Sequence, residues 1–126
     1  MNISQVRYAD VVVASLTGRV DHSNAEEFRT ALAPVIEGCA KGKDKLVLNF
    51  GYLEYISSAG LRVLMLAARQ AKDQGGDVVA ANFQPVVQQI FEISRFNLLF
   101  RMFDGVAPAL AELSPAASAA YGAKRA

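Results

Sequence analysis

The chain has 126 residues, 52% of them hydrophobic, and a formal net charge of +1. That length supports one domain with a real core and is too short for two. The balanced charge excludes a strong field for drawing in nucleic acid or an acidic membrane surface, and no apolar run approaches the ~20 residues that span a bilayer.

Ile3–Tyr8 alternates weakly and Val11–Leu16 is rich in valine, so the two read as strands paired in a hairpin around Ala9-Asp10. A helix follows. Ser23 or Asn24 can cap it, and Glu26-Glu27 favour its first turn. Ala25, Phe28, Leu32, Val35 and Cys39 recur at helical spacing and are expected to face the core. Pro34 is expected to bend or interrupt this helix. Lys41, Lys43 and Lys45, interrupted by Asp44, read as a solvated turn rather than a basic patch.

Lys45–Phe50 is a near-continuous apolar strand of the kind buried on both faces in an α/β sheet, and it is expected to stop at Gly51-Tyr52. Tyr55-Ile56 then runs into Ser57-Ser58-Ala59-Gly60 and a new helix. One face of that helix carries Leu61, Leu64, Met65 and Ala68, the other Arg62, Arg69 and Asp73. Gly75-Gly76 ends it. Val78–Phe83 reads as a strand, Pro85 as the start of a short helix through Ile93, Asn97–Phe103 as a last strand, and Gly105–Leu113 as a terminal helix. From Ser114 the composition shifts to Ser, Ala and Pro. Residues 114–126 are therefore expected to form a partly ordered tail, dispensable for the folding of a domain spanning residues 1–113. Alternating strands and helices give an α/β domain with a partly parallel sheet.

Chemistry is sparse. A single cysteine excludes an intrachain disulfide, and Cys39 reads as a small buried residue. A hydrolase triad would need Asp21, His22 and a serine to converge. Adjacent side chains diverge, however, and the serine lacks the G-x-S-x-G elbow. Neither a G-x-G-x-x-G nor a Walker lysine motif is present, so no nucleotide cofactor is implied. Asp21, His22 and Glu26 are a conceivable metal set, but Glu26 is explained more simply as a charge at a helix start, and no metal is expected.

That leaves Ser57 and Ser58. One serine suffices as a cap, worth about 1 kcal/mol. The other would be exposed near the positive end of the helix. A phosphate there would meet a favourable dipole while changing what docks at the surface. Gly60, without a side chain, would let a partner's backbone approach. From these residues alone, a cap-only role and a phosphorylation switch are evenly matched.

The segments LVLNF, GYLEY and ISSAGLRVL resemble the signature of the STAS domain family, the bacterial anti-sigma factor antagonists. LTGRVDHSNAEEFRTAL resembles the family's Gly-x-x-Asp turn and first helix, and the stretch from Gly75 to Leu110 resembles its closing half. The resemblance implies a single α/β domain, a small mixed sheet with helices packed mainly on one side. It also implies a non-enzymatic, cytosolic regulator. Such a protein binds an anti-sigma factor that is also a serine kinase, is released when phosphorylated, and is reset by a PP2C-type phosphatase, without nucleic acid or membrane insertion. Matched by position, the phosphoacceptor falls on Ser58. Asp21 matches the turn aspartate, and Asn49 the polar residue ending the strand, both near the partner surface. Ser57, Gly60, Arg62, Leu66 and Arg69 complete the expected partner-binding set. Ser57 stands where an acidic residue is common, which makes it a rival acceptor. An alternative within the family is a non-phosphorylated STAS subunit of a lipid-transport or other complex.

Overall fold

Three consecutive valines, Val11–Val13, give β2 two apolar faces, and the fold is built outward from it. The computed structural model describes residues 1–125. β1 (Asn2–Tyr8) turns at Ala9-Asp10 into β2 (Val11–Val20), antiparallel, with Tyr8 opposite Val11. Ala9 takes a left-handed φ of 54°, which costs a non-glycine residue about 1–2 kcal/mol. Then follow α1 (Ala25–Glu37), β3 (Lys45–Ile56), α2 (Ser58–Asp73), β4 (Val78–Ala81), α3 (Pro85–Ile93), a 3-10 turn over Phe96–Leu98, β5 (Met102–Phe103), α4 (Val106–Leu113) and α5 (Pro115–Arg125). The strands lie in sequence order, and every pair after the first is parallel. This is the mixed α/β sheet expected.

The two faces of the sheet are covered unequally. Val12, Ala14 and Leu16 of β2 and Leu46, Leu48 and Phe50 of β3 pack under α1, α2 and α3 in the larger core. There Phe50 stacks on Phe83 at 5.0 Å and meets Phe91 edge-on at 5.1 Å. The opposite residues, Val11, Val13, Val47 and Val79, pack under Ala109, Leu110, Leu113 and Ala117 of α4 and α5. Cys39 is a core residue, and burial pushes its thiol up to about 11. Among the described residues no helix is long and apolar enough to cross a membrane.

Four expectations need correction. β3 does not stop at Gly51-Tyr52 but continues to Ile56, because β2 pairs with it as far as Val20 opposite Ile56. Register shifts between Ser15 and Thr17 and between Gly18 and Arg19 absorb the irregular stretch. Pro34 does not interrupt α1; it is exposed, so the carbonyl it leaves without a partner is on the wet side of the helix. Asn97–Phe103 is not one strand. Arg95 turns left-handed at φ 60°, and Phe96 and Phe100, four residues apart, both enter the aromatic cluster, a helical rather than alternating spacing.

The last correction concerns residues 115–125, which form a helix rather than a partly ordered tail. Ser114 is buried, donates to Asp10 Oδ1 at 2.5 Å and accepts from Ala117 N at 3.1 Å, capping α5 against the first hairpin. Tyr121 meets Tyr8 edge-on with ring centroids 5.0 Å apart. Alanine-rich sequence became helix because one serine, one alanine and one tyrosine give it a docking face.

Candidate functional site

β2 and β3 end side by side, and the head of α2 is fixed to that edge. The Ser57 amide donates to the Val20 carbonyl at 2.8 Å. Ser57 is extended (φ −84°, ψ 173°), and its Oγ accepts from the Gly60 amide at 3.3 Å. It is the cap, and it is only 6% exposed. Ser58 is the first residue of the helix and is exposed. The two adjacent hydroxyls are thus divided between the interior and the surface.

Gly60 makes this division possible. A Cβ at this position would lie 2.7 Å from Cγ1 of both Val20 and Ile56, closer than carbon atoms approach. The first turn of α2 therefore lies directly on the strand ends. Gly60 is buried, so the close approach it permits is within the domain, not to a partner's backbone. Ser57 likewise faces inward and offers no docking surface.

Asp21 follows Val20 on the same edge, next in the chain to the carbonyl that holds Ser57. Its Oδ1 accepts from the Ser23 amide at 2.9 Å and from the Ser23 hydroxyl. The Ser23 hydroxyl, then the Ser23 amide, hold the Asp21 carboxyl below its ordinary value. Asn24 accepts from the Asp21 amide and donates to the Arg19 carbonyl, both at 2.9 Å, so it braces the connection to α1 instead of capping with its side chain. Among the described residues no hydrogen bond or ion pair joins Asp21 to His22, which is exposed. Glu26 pairs with Arg29 at 2.9 Å.

Asn49 is elsewhere. Its neighbours Leu48 and Phe50 face the larger core, so Asn49 points to the α4 side of the sheet. It is 7% exposed, in the middle of β3 rather than at its end. Nδ2 donates to Ser15 Oγ, and Oδ1 accepts from the Gly51 amide and from Asn82 Nδ2, each at 3.0 Å. This bridge across β2, β3 and β4 is structural. Sequence reading missed Ser15 and Asn82 in it; the one signal was Asn82 itself, a residue tolerant of the left-handed φ of 65° that it adopts after β4.

The exposed side of α2 carries Arg62, Leu66 and Arg69, as expected. Leu66 is 44% exposed, in a groove between α1 and α2 with Leu32, Ile36 and Val63. Arg69 borders a second cleft with Lys72, Leu98 and Leu99. Among the described residues no ion pair engages Arg62 or Arg69. The edge of the site is therefore one exposed hydroxyl at a helix start, followed along the helix by unpaired cations and a half-exposed leucine. Nothing in it assembles a nucleophile with a base.

Comparison with known proteins bears on the family and the fold. A family model described as "Mlab, STAS domain" matches residues 3–101. A protein of Bordetella bronchiseptica named "Putative anti-sigma factor antagonist BtrV" is 38% identical over 100 residues, covering 79% of this chain and 84% of that protein. The anti-sigma factor antagonist SpoIIAA in its unphosphorylated form superposes with a TM-score of 0.69 at 21% identity, covering 89% of this chain and 96% of that one. The phosphorylated form of SpoIIAA, a Bacillus cell fate determinant, does so at 0.64 and 20% identity, covering 90% and 100%. At such identities these two likenesses speak for the fold alone.

Proposed function

The chain belongs to the STAS domain family, in its anti-sigma factor antagonist type, and we propose that it acts by partner switching, with Ser58 as the phosphoacceptor. In the unphosphorylated state it binds an anti-sigma factor that is also a serine kinase. Phosphorylation of Ser58 releases the complex, and a PP2C-type phosphatase restores it. The chain itself catalyses nothing.

One observation carries this reading. Of two adjacent serines, Ser57 is spent as a buried cap and Ser58 is left exposed with no structural task. A phosphate on Ser58 adds about −1.5 to −2 charge at the positive end of α2, where the helix tolerates it. The domain therefore stays folded in both states. The charge acts on docking instead: buried unpaired against a partner, it costs several kcal/mol. Ser57 is a poor acceptor because modification would remove the cap and expose Ile56 and Gly60. Asp21, on the same edge, and Arg62, Leu66 and Arg69 along α2 supply the rest of the docking surface; Asn49, buried on the α4 side of the sheet, has no part in it.

The test is binding of the unmodified protein, Ser58→Asp and Ser58→Ala to the anti-sigma kinase purified from the source cell. Ser58→Asp should bind about 100-fold more weakly, the equivalent of about 3 kcal/mol, and Ser58→Ala should bind like the unmodified protein but resist release by ATP. Equal binding by all three, or recovery of transporter subunits in place of a kinase, would favour the non-switching STAS subunit.

A further inference from the structure

Arg62 lies one helical turn beyond Ser58. At about 100° per residue, Ser58, Arg62, Met65 and Arg69 fall within about 60° of arc on one side of α2. Side chains on a helix lean toward its N-terminus, so Arg62 leans over the turn that carries Ser58. Arg62 is exposed, and no acidic side chain holds it among the described residues. It is a guanidinium with its donors unused, at the i,i+4 spacing where oppositely charged side chains meet.

We propose that Arg62 is the intramolecular receptor for a phosphate on Ser58. The proposal rests on Ser58 being the phosphoacceptor. Its consequence is that modification changes the docking face twice: it adds negative charge at the head of α2, and it draws Arg62 out of the cationic row that Arg69 and Lys72 continue. Part of the phosphate charge is then neutralised within the chain, and the switch acts through the loss of Arg62 from the docking face as well as through the added charge. Pairing of this kind uses the planar fork of arginine, so lysine at this position should reproduce only the charge and not the full effect.

The experiment uses the full chain with phosphoserine installed at position 58 during synthesis, so that no kinase is needed. The second ionisation of the phosphate is followed by phosphorus NMR in the otherwise unmodified protein and in Arg62→Gln, Arg62→Lys and Arg69→Gln. Asp21, on the neighbouring β2–α1 connection, acts on all four alike and cancels in the comparison. The phosphate should titrate about half a unit lower with Arg62 than in Arg62→Gln. The difference should shrink in 1 M salt, Arg62→Lys should be intermediate, and Arg69→Gln should match the unmodified chain. Equal titration with and without Arg62, or a larger effect of Arg69, would overturn the proposal. If the pairing is present but the partner kinase leaves Ser58 untouched, the functional reading fails while the pairing stands, so the two failures are distinguishable.

Discussion

Replacing each of the two serines separately tests the division of labour between them. Ser57→Ala removes a side-chain acceptor from the Gly60 amide at a site only 6% exposed. Loss of a helix cap costs about 0.5–2 kcal/mol, and a buried N–H left without a partner costs about 1–3 kcal/mol. These are two descriptions of one lost bond and do not add. The bond is long, at 3.3 Å, which favours the lower half, about 1–1.5 kcal/mol. With an unfolding entropy of about 2.1 cal/mol/K per residue, a chain of 126 residues should lose about 4–6 °C in Tm. Ser58→Ala touches an exposed hydroxyl with no intramolecular bond and should stay within about 0.5 kcal/mol, or 2 °C. Circular dichroism melts and urea titrations of the two variants give the comparison. A Ser58→Ala loss equal to that of Ser57→Ala would show that Ser58 is structural and refute the assignment.

Gly60→Ala should destabilise by about 1–3 kcal/mol, because its methyl overlaps Val20 and Ile56; a melt near the unmodified value would mean that α2 can lift off the strand ends freely. A chain ending at Leu113 should melt several degrees lower, since it loses the buried Ala117, the Ser114–Asp10 bond and the Tyr8–Tyr121 contact, and an unchanged Tm would show that α5 contributes nothing to the fold. Acid should destabilise the protein through Asp10, Asp21 and Asp44, held below the ordinary carboxylate value chiefly by Ser114, Ser23 and Arg7 respectively. A lowered folded pKa contributes stability above the unfolded value that is lost as pH falls through the folded one, so the urea midpoint should drop below about pH 4 and be flat from there to about pH 8.

The order of elements was legible because the two periodicities are clean. The consecutive valines Val11–Val13 mark β2 as a strand buried on both faces, and Leu61, Leu64 and Ala68 mark the buried face of α2. The head of α2 was legible in kind, as a place where one serine caps and another is exposed. Which serine does which was open from the residues alone, because the answer depends on how Gly60 seats the helix on Val20 and Ile56, a contact between three segments; only the family resemblance pointed to Ser58 as the exposed one. The same limit explains Asn49. Alternation along β3 assigns it to the α4 face, yet its role comes from Ser15 and Asn82 on neighbouring strands. The composition of residues 114–126 suggested a tail because few large apolar residues are present. Small residues suffice there, since Ala117 fits against a sheet face already lined by valines. Gly51-Tyr52 looked like the end of a strand because glycine usually marks a break, but β3 carries an extra residue at each of the two register shifts and still pairs with β2 as far as Ile56.

The central claim is that Ser58 is the residue the partner kinase modifies. Phosphopeptide mapping after incubation of the full chain with its anti-sigma kinase and ATP tests it most directly. The account predicts a single phosphate on Ser58, absent from Ser58→Ala and retained in a Ser57→Ala variant that remains folded; phosphate on Ser57 alone, or none on either serine, would contradict it.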